Sequence, residues 1–156
     1  MTMDREQKER QLKRNDRIHL EIGRVLEQYL AALDSRDWEA LAALFSKDSV
    51  SFYNNDPDEL RGGEGVVSFT RRLEQFQATT HLPCHLTVSL INRRTARADS
   101  KVVAFLQATE GGPVSIRSVR FSDELVWAQG RWLIRKRRHT PEFQLNVDSV
   151  PPILSQ

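Results

Sequence analysis

The chain has 156 residues and a net charge of +2, with 39% apolar and 28% charged residues, an ordinary globular composition. No apolar run approaches the roughly 20 residues of a membrane span, and so small a charge gives no reason to expect a nucleic-acid partner. The charged N-terminal segment lacks the apolar core of a secretion signal, and the single cysteine, Cys84, excludes an internal disulfide, so we expect one cytoplasmic domain without membrane contact.

The first third of the chain predicts two helices joined by a tight corner. Apolar residues at spacings of three and four define one face of the first helix: Ile18, Ile22, Val25, Leu26, Tyr29 and Leu33. Asp37 is a good N-cap for a second helix that begins at Trp38, because its carboxylate can accept free amide protons. Asp34 is therefore expected at the bend between the two helices.

The segment before the first helix is mixed-charge and poor in apolar residues. We expect residues 1–14 to be an exposed lead-in, with Asn15 or Asp16 capping the regular part of the helix.

A short strand and a third helix follow the corner. Residues 48–53 alternate between apolar and polar and predict a strand, and residues 54–58 have turn chemistry. The glycine-rich residues 61–65 are expected to form a loop. They are not a phosphate loop, because the required Lys-Ser/Thr pair is missing. Helical spacing then returns over residues 66–76.

From Thr80 the apolar period changes to two, which predicts four long strands separated by turn residues: residues 80–90, 95–109, 114–127 and 132–138. In the first of them the apolar side is expected to hold Leu82, Cys84 and Leu86, which makes Cys84 a core residue. Residues 139–156 contain three prolines, and we expect little regular structure there.

Helices first and strands afterwards are typical of an α+β fold, and strands joined by short turns pair antiparallel. We expect three helices to cover one face of one curved sheet. The other face would keep apolar residues exposed, which favours a partner subunit. The expected organisation is a lead-in (1–14), one domain (15–140) and a tail (141–156) that either covers a pocket or crosses to a second subunit.

Three stretches carry a resemblance to a known family: residues 29–45 around the helix corner, residues 79–82 at the start of the first long strand, and residues 122–134 around the last turn. In this order and spacing they resemble the SnoaL-like branch of the nuclear-transport-factor-2-like superfamily over about residues 15–140. The resemblance implies a cone, in which a strongly curved antiparallel sheet with a mixed edge and three helices enclose an apolar pocket. It also implies homodimers, or higher oligomers, formed through the sheet.

The resemblance also implies an acid–base dyad. In scytalone dehydratase-like and dehydrochlorinase-like members, an aspartate at the first helix corner pairs with a histidine that opens the first long strand. These positions match Asp34 and His81. Scytalone dehydratase-like enzymes use a further histidine on the next-to-last strand, and residues 115–120 have none. The residues alone leave a second interpretation open, in which Asp34 is a turn residue and His81 an exposed strand residue.

Such a dyad suits proton abstraction, because a carboxylate on one ring nitrogen leaves the other free to act as a base. We therefore predict a lyase or isomerase without a cofactor that acts on a small apolar or aromatic molecule. The residues expected to bind the substrate are Tyr29, Trp38, Tyr53, His85, Arg117 and Arg120. The alternative is a non-catalytic ligand-binding or structural dimer, similar to the small subunit of ring-hydroxylating dioxygenases.

Two of these expectations depend on which face of a strand a residue occupies. His85 shares a face with His81 if the strand is regular, and Pro83 is the residue that would bulge it. Arg117 and Arg120 lie on opposite faces of their strand, so one of them is expected to reach the pocket and bind an anionic group.

A metal site at His81, Cys84 and His85 is also conceivable, but no second cluster supplies the missing ligands. We expect no metal.

The last predicted strand ends in four consecutive basic residues. If the two tryptophans that flank the turn at 128–131 pair, Glu124 faces Arg135 and Asp123 faces Lys136. Opposite charges across two strands then explain the basic run without a nucleic-acid partner.

Overall fold

The computed structural model describes residues 4–149. Its elements, in chain order, are α1 (Arg5–Ser35), α2 (Trp38–Ala42), β1 (Phe45–Tyr53), β2 (Leu60–Arg61), α3 (Gly62–Thr70), a 3₁₀ turn (Arg71–Gln75), β3 (Ala78–Leu90), β4 (Thr95–Gln107), β5 (Val114–Ala128) and β6 (Arg131–Val147).

The strands form one six-stranded sheet in the order β2-β1-β6-β5-β4-β3. All neighbours pair antiparallel except β1 and β6, which are parallel. The chain leaves β1 and returns beside it, as β6, only after it has passed through the strands β3, β4 and β5. This connection is long enough for β6 to run in the same direction as β1. The predicted α+β fold, a curved sheet with a mixed edge and three helices, is confirmed.

Helix α1 begins earlier than predicted. The Asp4 side chain accepts a hydrogen bond from the Gln7 backbone, and Gln7 completes a capping box. Asn15 and Asp16 therefore lie inside the helix, and the expectation that either caps it is wrong. The early turns stay exposed as expected, and ion pairs between residues four positions apart stabilise them.

The buried face of α1 packs on the sheet through residues that the spacing predicted, including Ile22 and Tyr29. Asp37 caps α2 through a hydrogen bond from the Ala40 backbone, as expected. No helix within residues 4–149 combines the length and the apolar character that a membrane crossing requires.

The predicted loop at 61–65 is instead the first turn of α3. Gly63 explains how this turn approaches its neighbour, because a Cβ at this position would lie 2.2 Å from the Ala42 carbonyl oxygen. Only glycine lets the start of α3 pack this closely against the end of α2.

A bulge interrupts β3. The register against β4 shifts between Pro83 and His85, so Cys84 is an extra residue without a partner. Past the bulge, His85 lies on the face opposite to His81. Cys84 is exposed, so its prediction as a core residue is wrong, and Leu82 on the predicted apolar side is 48% exposed.

The region expected to be an irregular tail continues β6 as far as Val147, paired with β5. Pairing between β6 and β1 ends at His139. Beyond that point one edge of β6 has no partner strand among the described residues, so Pro141 needs no ladder donor there. Pro151 and Pro152 lie outside the described residues.

One of the two predicted cross-strand charge pairs exists, and a shift in register changes the other. The flanking tryptophans pair, and Nε of Arg135 donates to Glu124 at 2.9 Å. A register shift beside Glu124 then moves the following residues by one position. Asp123 therefore pairs with Arg137, not with Lys136 as expected.

Candidate functional site

A cavity of about 270 Å³ lies between α1, the segment from α3 through the 3₁₀ turn, and the inner face of the sheet. This volume is just below the roughly 300–1,000 Å³ of most ligand pockets, so it suits a small molecule. Most of the lining side chains are apolar or aromatic, among them Leu33, Phe69, Leu73, Leu106, Val119 and Phe121.

The helix corner places Asp34 against the first residues of β3. Oδ1 of Asp34 lies 2.6 Å from Nδ1 of His81, and Oδ2 accepts a hydrogen bond of 2.8 Å from the His81 backbone N–H. The His81 side chain is 9% exposed and lines the cavity. An ionised carboxylate can only accept, so in the neutral ring the hydrogen belongs on Nδ1 and the lone pair on Nε2.

Two residues that the sequence did not single out position the Asp34 carboxylate. The Thr79 hydroxyl donates to Oδ1 of Asp34 at 2.8 Å. Arg36, with a left-handed φ of 59°, ends α1 and donates to the Thr79 hydroxyl at 2.9 Å and to the Leu73 carbonyl at 2.9 Å. Because Arg36 occupies an acceptor position of Thr79, the hydroxyl hydrogen is directed to Asp34.

Of the residues expected to bind substrate, Tyr29 and Tyr53 line the cavity. Their hydroxyl oxygens are 2.9 Å apart. Burial raises the pKa of Tyr29, and it raises the pKa of Tyr53 well above its usual value. Both side chains are therefore neutral phenols near neutral pH.

The two arginines on β5 lie on opposite faces of the strand, as the alternation of side chains requires. Arg117 faces the cavity, whereas Arg120 is exposed on the opposite face and does not line it. The Nε atom of Arg117 is buried and has no hydrogen-bond partner among residues 4–149. Its guanidinium lies 5.8 Å from the Phe76 ring centroid. The cavity therefore contains a cation with free donor capacity.

Trp38 and His85 also lie away from the cavity, which corrects their assignment to its wall. The Trp38 indole N–H donates to Glu74 at 2.9 Å on the outside of the helix corner. The β3 bulge turns His85 to the outer face of the sheet, where its ring lies 3.2 Å from the Thr87 hydroxyl.

His139 lines the cavity and was missed, because Pro141 suggested that the strand ends before it. Its ring stacks on Tyr53 with centroids 4.8 Å apart. Burial, and secondarily the charge of Arg137, lower the pKa of His139 to about 4. The ring is therefore neutral near neutral pH. No local pattern would have found it, because β6 tolerates Pro141 only where its pairing with β1 has ended, and that depends on the arrangement of the strands.

The site thus combines an imidazole held by a carboxylate, two neutral phenols, a second neutral imidazole and a guanidinium around apolar walls. This set can accept and donate protons and can bind a polar substituent of an otherwise apolar molecule. Among residues 4–149, no cluster of three or more histidine, cysteine, aspartate or glutamate side chains is arranged to hold a metal ion.

Known structures share this architecture. A scytalone dehydratase candidate from Novosphingobium aromaticivorans is 21% identical, with a TM-score of 0.77, over 91% of this chain and 97% of that chain. The hexachlorocyclohexane dehydrochlorinase LinA-type3 from Novosphingobium barchaimii is 16% identical, with a TM-score of 0.77, over 91% and 99%. A dehydratase candidate of the NTF2-like family from Streptomyces avermitilis is 14% identical, with a TM-score of 0.71, over 83% and 99%. At these identities the likeness concerns the fold.

A comparison with curated protein sequences finds no match. A family model described as the SnoaL-like domain matches residues 17–138, which is most of the chain. The chain therefore belongs to the SnoaL-like family.

Proposed function

We propose that the protein is a cofactor-free lyase or isomerase that removes a proton from carbon in a small apolar or aromatic molecule. The observation that carries the proposal is the 2.6 Å contact between Asp34 and His81 in the wall of a cavity of about 270 Å³. Asp34 holds the imidazole in one tautomer, and Nε2 of His81 is the base.

The reaction follows from this arrangement. Nε2 of His81 takes the proton, and the electron pair of the C–H bond moves toward the neighbouring carbon. Either a leaving group departs from that carbon, or the double bond shifts and the imidazolium returns the proton elsewhere. The Asp34 carboxylate stabilises the imidazolium, and apolar walls strengthen this attraction. A positioned base of this kind contributes roughly 10²–10⁴-fold in rate.

Tyr29, Tyr53 and Arg117 are proposed to bind the substrate, since all three line the cavity. Two structures with the same architecture are named as a dehydratase candidate and a dehydrochlorinase. Both names denote eliminations, which supports the reaction class by analogy of fold alone.

Hydrogen–deuterium exchange tests the proposal without knowledge of the natural substrate. Acetophenone is small, apolar and carries acidic C–H bonds, and NMR in D₂O follows the loss of its methyl signal. We expect the wild-type protein to accelerate exchange. His81→Ala and Asp34→Asn should each lose most of the acceleration, whereas His85→Ala, on the outer face, should retain it. Equal exchange rates for wild type and His81→Ala would refute the mechanism.

A second candidate function is a structural or ligand-binding dimer, which the outer face of the sheet favours. Register places six apolar side chains side by side there: Leu82, Val103, Phe105, Ile116, Phe143 and Leu145. Phe143 is 61% exposed and Leu145 is 44% exposed. We propose that a second copy of the chain covers this patch, because monomers rarely expose contiguous apolar surface of this kind. We also propose a cytoplasmic location, which suits the exposed free thiol of Cys84.

Light scattering coupled to size-exclusion chromatography tests the dimer. The double variant Phe143→Lys/Leu145→Lys should elute as a monomer. Ile91→Lys, at an equally exposed apolar residue on the β3–β4 turn, should remain dimeric. A monomeric wild type would rule out this interface.

A further inference from the structure

We propose that His139 is the hydrogen-bond donor for a carbonyl-type oxygen of the substrate, and that it acts together with the base His81 in the same cavity. The inference rests on the proposed function and adds a substrate class: molecules in which the acidic C–H bond is adjacent to a neutral acceptor oxygen.

The donor role follows from the surroundings of the ring. The backbone N–H of Asn54 lies 3.2 Å from the His139 carbonyl oxygen and 3.4 Å from its Nδ1 atom. The N–H is shared between the two acceptors, and because it can only donate, its contact with Nδ1 favours the tautomer with the hydrogen of the neutral ring on Nε2. Stacking on Tyr53 and a tilted contact with Phe121 at 5.4 Å fix the ring plane. Nε2 has no hydrogen bond to any residue from 4 to 149, so it is available to a ligand.

Burial, together with the surrounding charges, keeps this donor neutral. Burial is the largest influence, and the groups Arg137, His81 and Arg117 also disfavour a charged ring at His139. These groups belong to three different strands, β6, β3 and β5. Tyr53, on β1, is itself a neutral phenol because burial raises its pKa. A neutral donor can bind an uncharged carbonyl oxygen without a large desolvation cost in an apolar cavity.

The two histidines therefore present complementary nitrogens. Asp34 accepts a hydrogen bond from Nδ1–H of His81, which leaves a lone pair on Nε2, whereas the Asn54 backbone N–H donates to Nδ1 of His139, which favours a hydrogen on Nε2. They lie on β3 and β6, three strand spacings apart, and they are also offset along the strands by four residues, because His81 aligns with Arg117 of β5 and His139 with Phe121. A flat sheet would separate their backbones by roughly 19 Å. In the curved sheet both side chains line the same cavity. A substrate that occupies the cavity between them can engage both.

The proton and electron balance is complete with these groups. Nε2 of His81 takes the proton from the carbon next to the carbonyl, and the C–H electron pair forms a carbon–carbon double bond. The carbonyl π pair moves to the oxygen, and the Nε2–H of His139 donates to the enolate oxygen. When the carbonyl re-forms, either a leaving group departs with its electron pair or carbon recovers the proton from His81. A donor that binds a developing oxyanion is worth roughly 10²–10³-fold in rate.

Infrared spectroscopy of bound acetophenone, labelled with ¹³C at the carbonyl, tests the donor directly. We expect the carbonyl stretch to move to lower wavenumber in wild type and to lose this shift in His139→Leu. His139→Gln, which keeps a donor, should retain part of the shift, and His85→Leu should retain all of it. An unchanged stretch in His139→Leu, or no binding of acetophenone by folded wild-type protein, would overturn the inference.

Two further readouts separate this inference from the proposed function. His81→Ala should abolish exchange of the methyl protons while the infrared shift remains, because the donor does not need the base. ¹⁵N NMR should find His139 in the Nε2–H tautomer in the unliganded protein. A hydrogen on Nδ1 of His139 would contradict the assignment whatever the exchange experiment shows. His139→Leu should also lower the exchange rate by about 10²-fold or more if the proposed function holds.

Discussion

Asp123→Asn is expected to destabilise the protein strongly, because it leaves the Arg137 guanidinium buried without a counterion. Arg137 donates to the two carboxylate oxygens of Asp123 at 2.8 and 2.7 Å, and the side chains are only 1% and 8% exposed. The guanidinium also lies 4.2 Å from the ring centroids of both Tyr29 and Phe121. Burial lowers the pKa of Arg137, but the Asp123 carboxylate outweighs this effect and raises it, so the pair is charged in the wild type.

The magnitude follows from the burial of the pair. Removing one partner of a buried ion pair costs about 3–5 kcal/mol, and arginine cannot escape by losing its proton. This cost is a large fraction of the roughly 5–15 kcal/mol that stabilises a domain. Arg137 packs against Tyr29, which lines the cavity. Loss of this packing in Asp123→Asn should therefore also weaken ligand binding.

Urea unfolding, followed by tryptophan fluorescence and circular dichroism, measures the effect. Asp99→Asn is a matched control, because the Asp99 carboxylate accepts a hydrogen bond from the Ser122 hydroxyl at an exposed position of the same sheet. The double variant Asp123→Leu/Arg137→Met should recover most of the loss, since apolar replacement of a buried pair is often neutral or stabilising. If the free energy of unfolding of Asp123→Asn is within about 1 kcal/mol of the wild-type value, the buried-charge reasoning is wrong.

Three further predictions concern the site and the helix corner. Thr79→Val should slow acetophenone exchange roughly tenfold or more, because a hydrogen bond to a charged group is worth about 1.5–3 kcal/mol, and Thr79→Ser should restore it. His139, with its pKa lowered from 6.5 to about 4, contributes stability above pH 6.5 that is lost as the pH falls toward 4. The free energy of unfolding of the wild type, measured in urea, should therefore fall by up to about 3 kcal/mol over this range relative to that of His139→Leu. Gly63→Ala should lower the free energy of unfolding by about 1–3 kcal/mol, because its Cβ would lie 2.2 Å from the Ala42 carbonyl oxygen. A thermal unfolding midpoint equal to that of the wild type would contradict this close packing.

Local patterns were sufficient to predict the elements and part of the site. Spacing identified the buried face of α1, and the N-cap chemistry of Asp37 placed the corner that carries Asp34. The change to a period of two located β3, which begins at Ala78, two residues before the predicted start. Asp34 and His81 are 47 positions apart, so no local pattern could bring them together. The resemblance supplied their relative placement, and the structure has them in contact.

The errors have a common physical cause, which is backbone register. The bulge at Cys84 turns His85 away from the cavity. The register shift beside Glu124 makes Arg137, and not the predicted Lys136, the partner of Asp123. One extra residue reverses the face of every residue after it, and alternation alone does not reveal where it is inserted.

His139 was missed for a different reason. Proline is ordinarily a sign that a strand has ended, whereas β6 accepts it beyond the point where its neighbour β1 ends, because no ladder donor is required there. Where the pairing with a neighbouring strand ends depends on the order and register of the strands in the sheet. That order is a property of the whole fold and cannot be read from residues 131–147 alone.

The central claim is that Asp34 holds His81 in the Nδ1–H tautomer, with its basic nitrogen directed to the cavity. The most direct measurement is the ¹⁵N NMR spectrum of the histidine side chains in wild type and in Asp34→Asn near neutral pH, with each ring assigned by substitution. We expect the Nδ1–H tautomer for His81 in wild type, and a loss of this preference in Asp34→Asn. A wild-type His81 with its hydrogen on Nε2 would contradict the claim, because the nitrogen required to accept the substrate proton would already carry one.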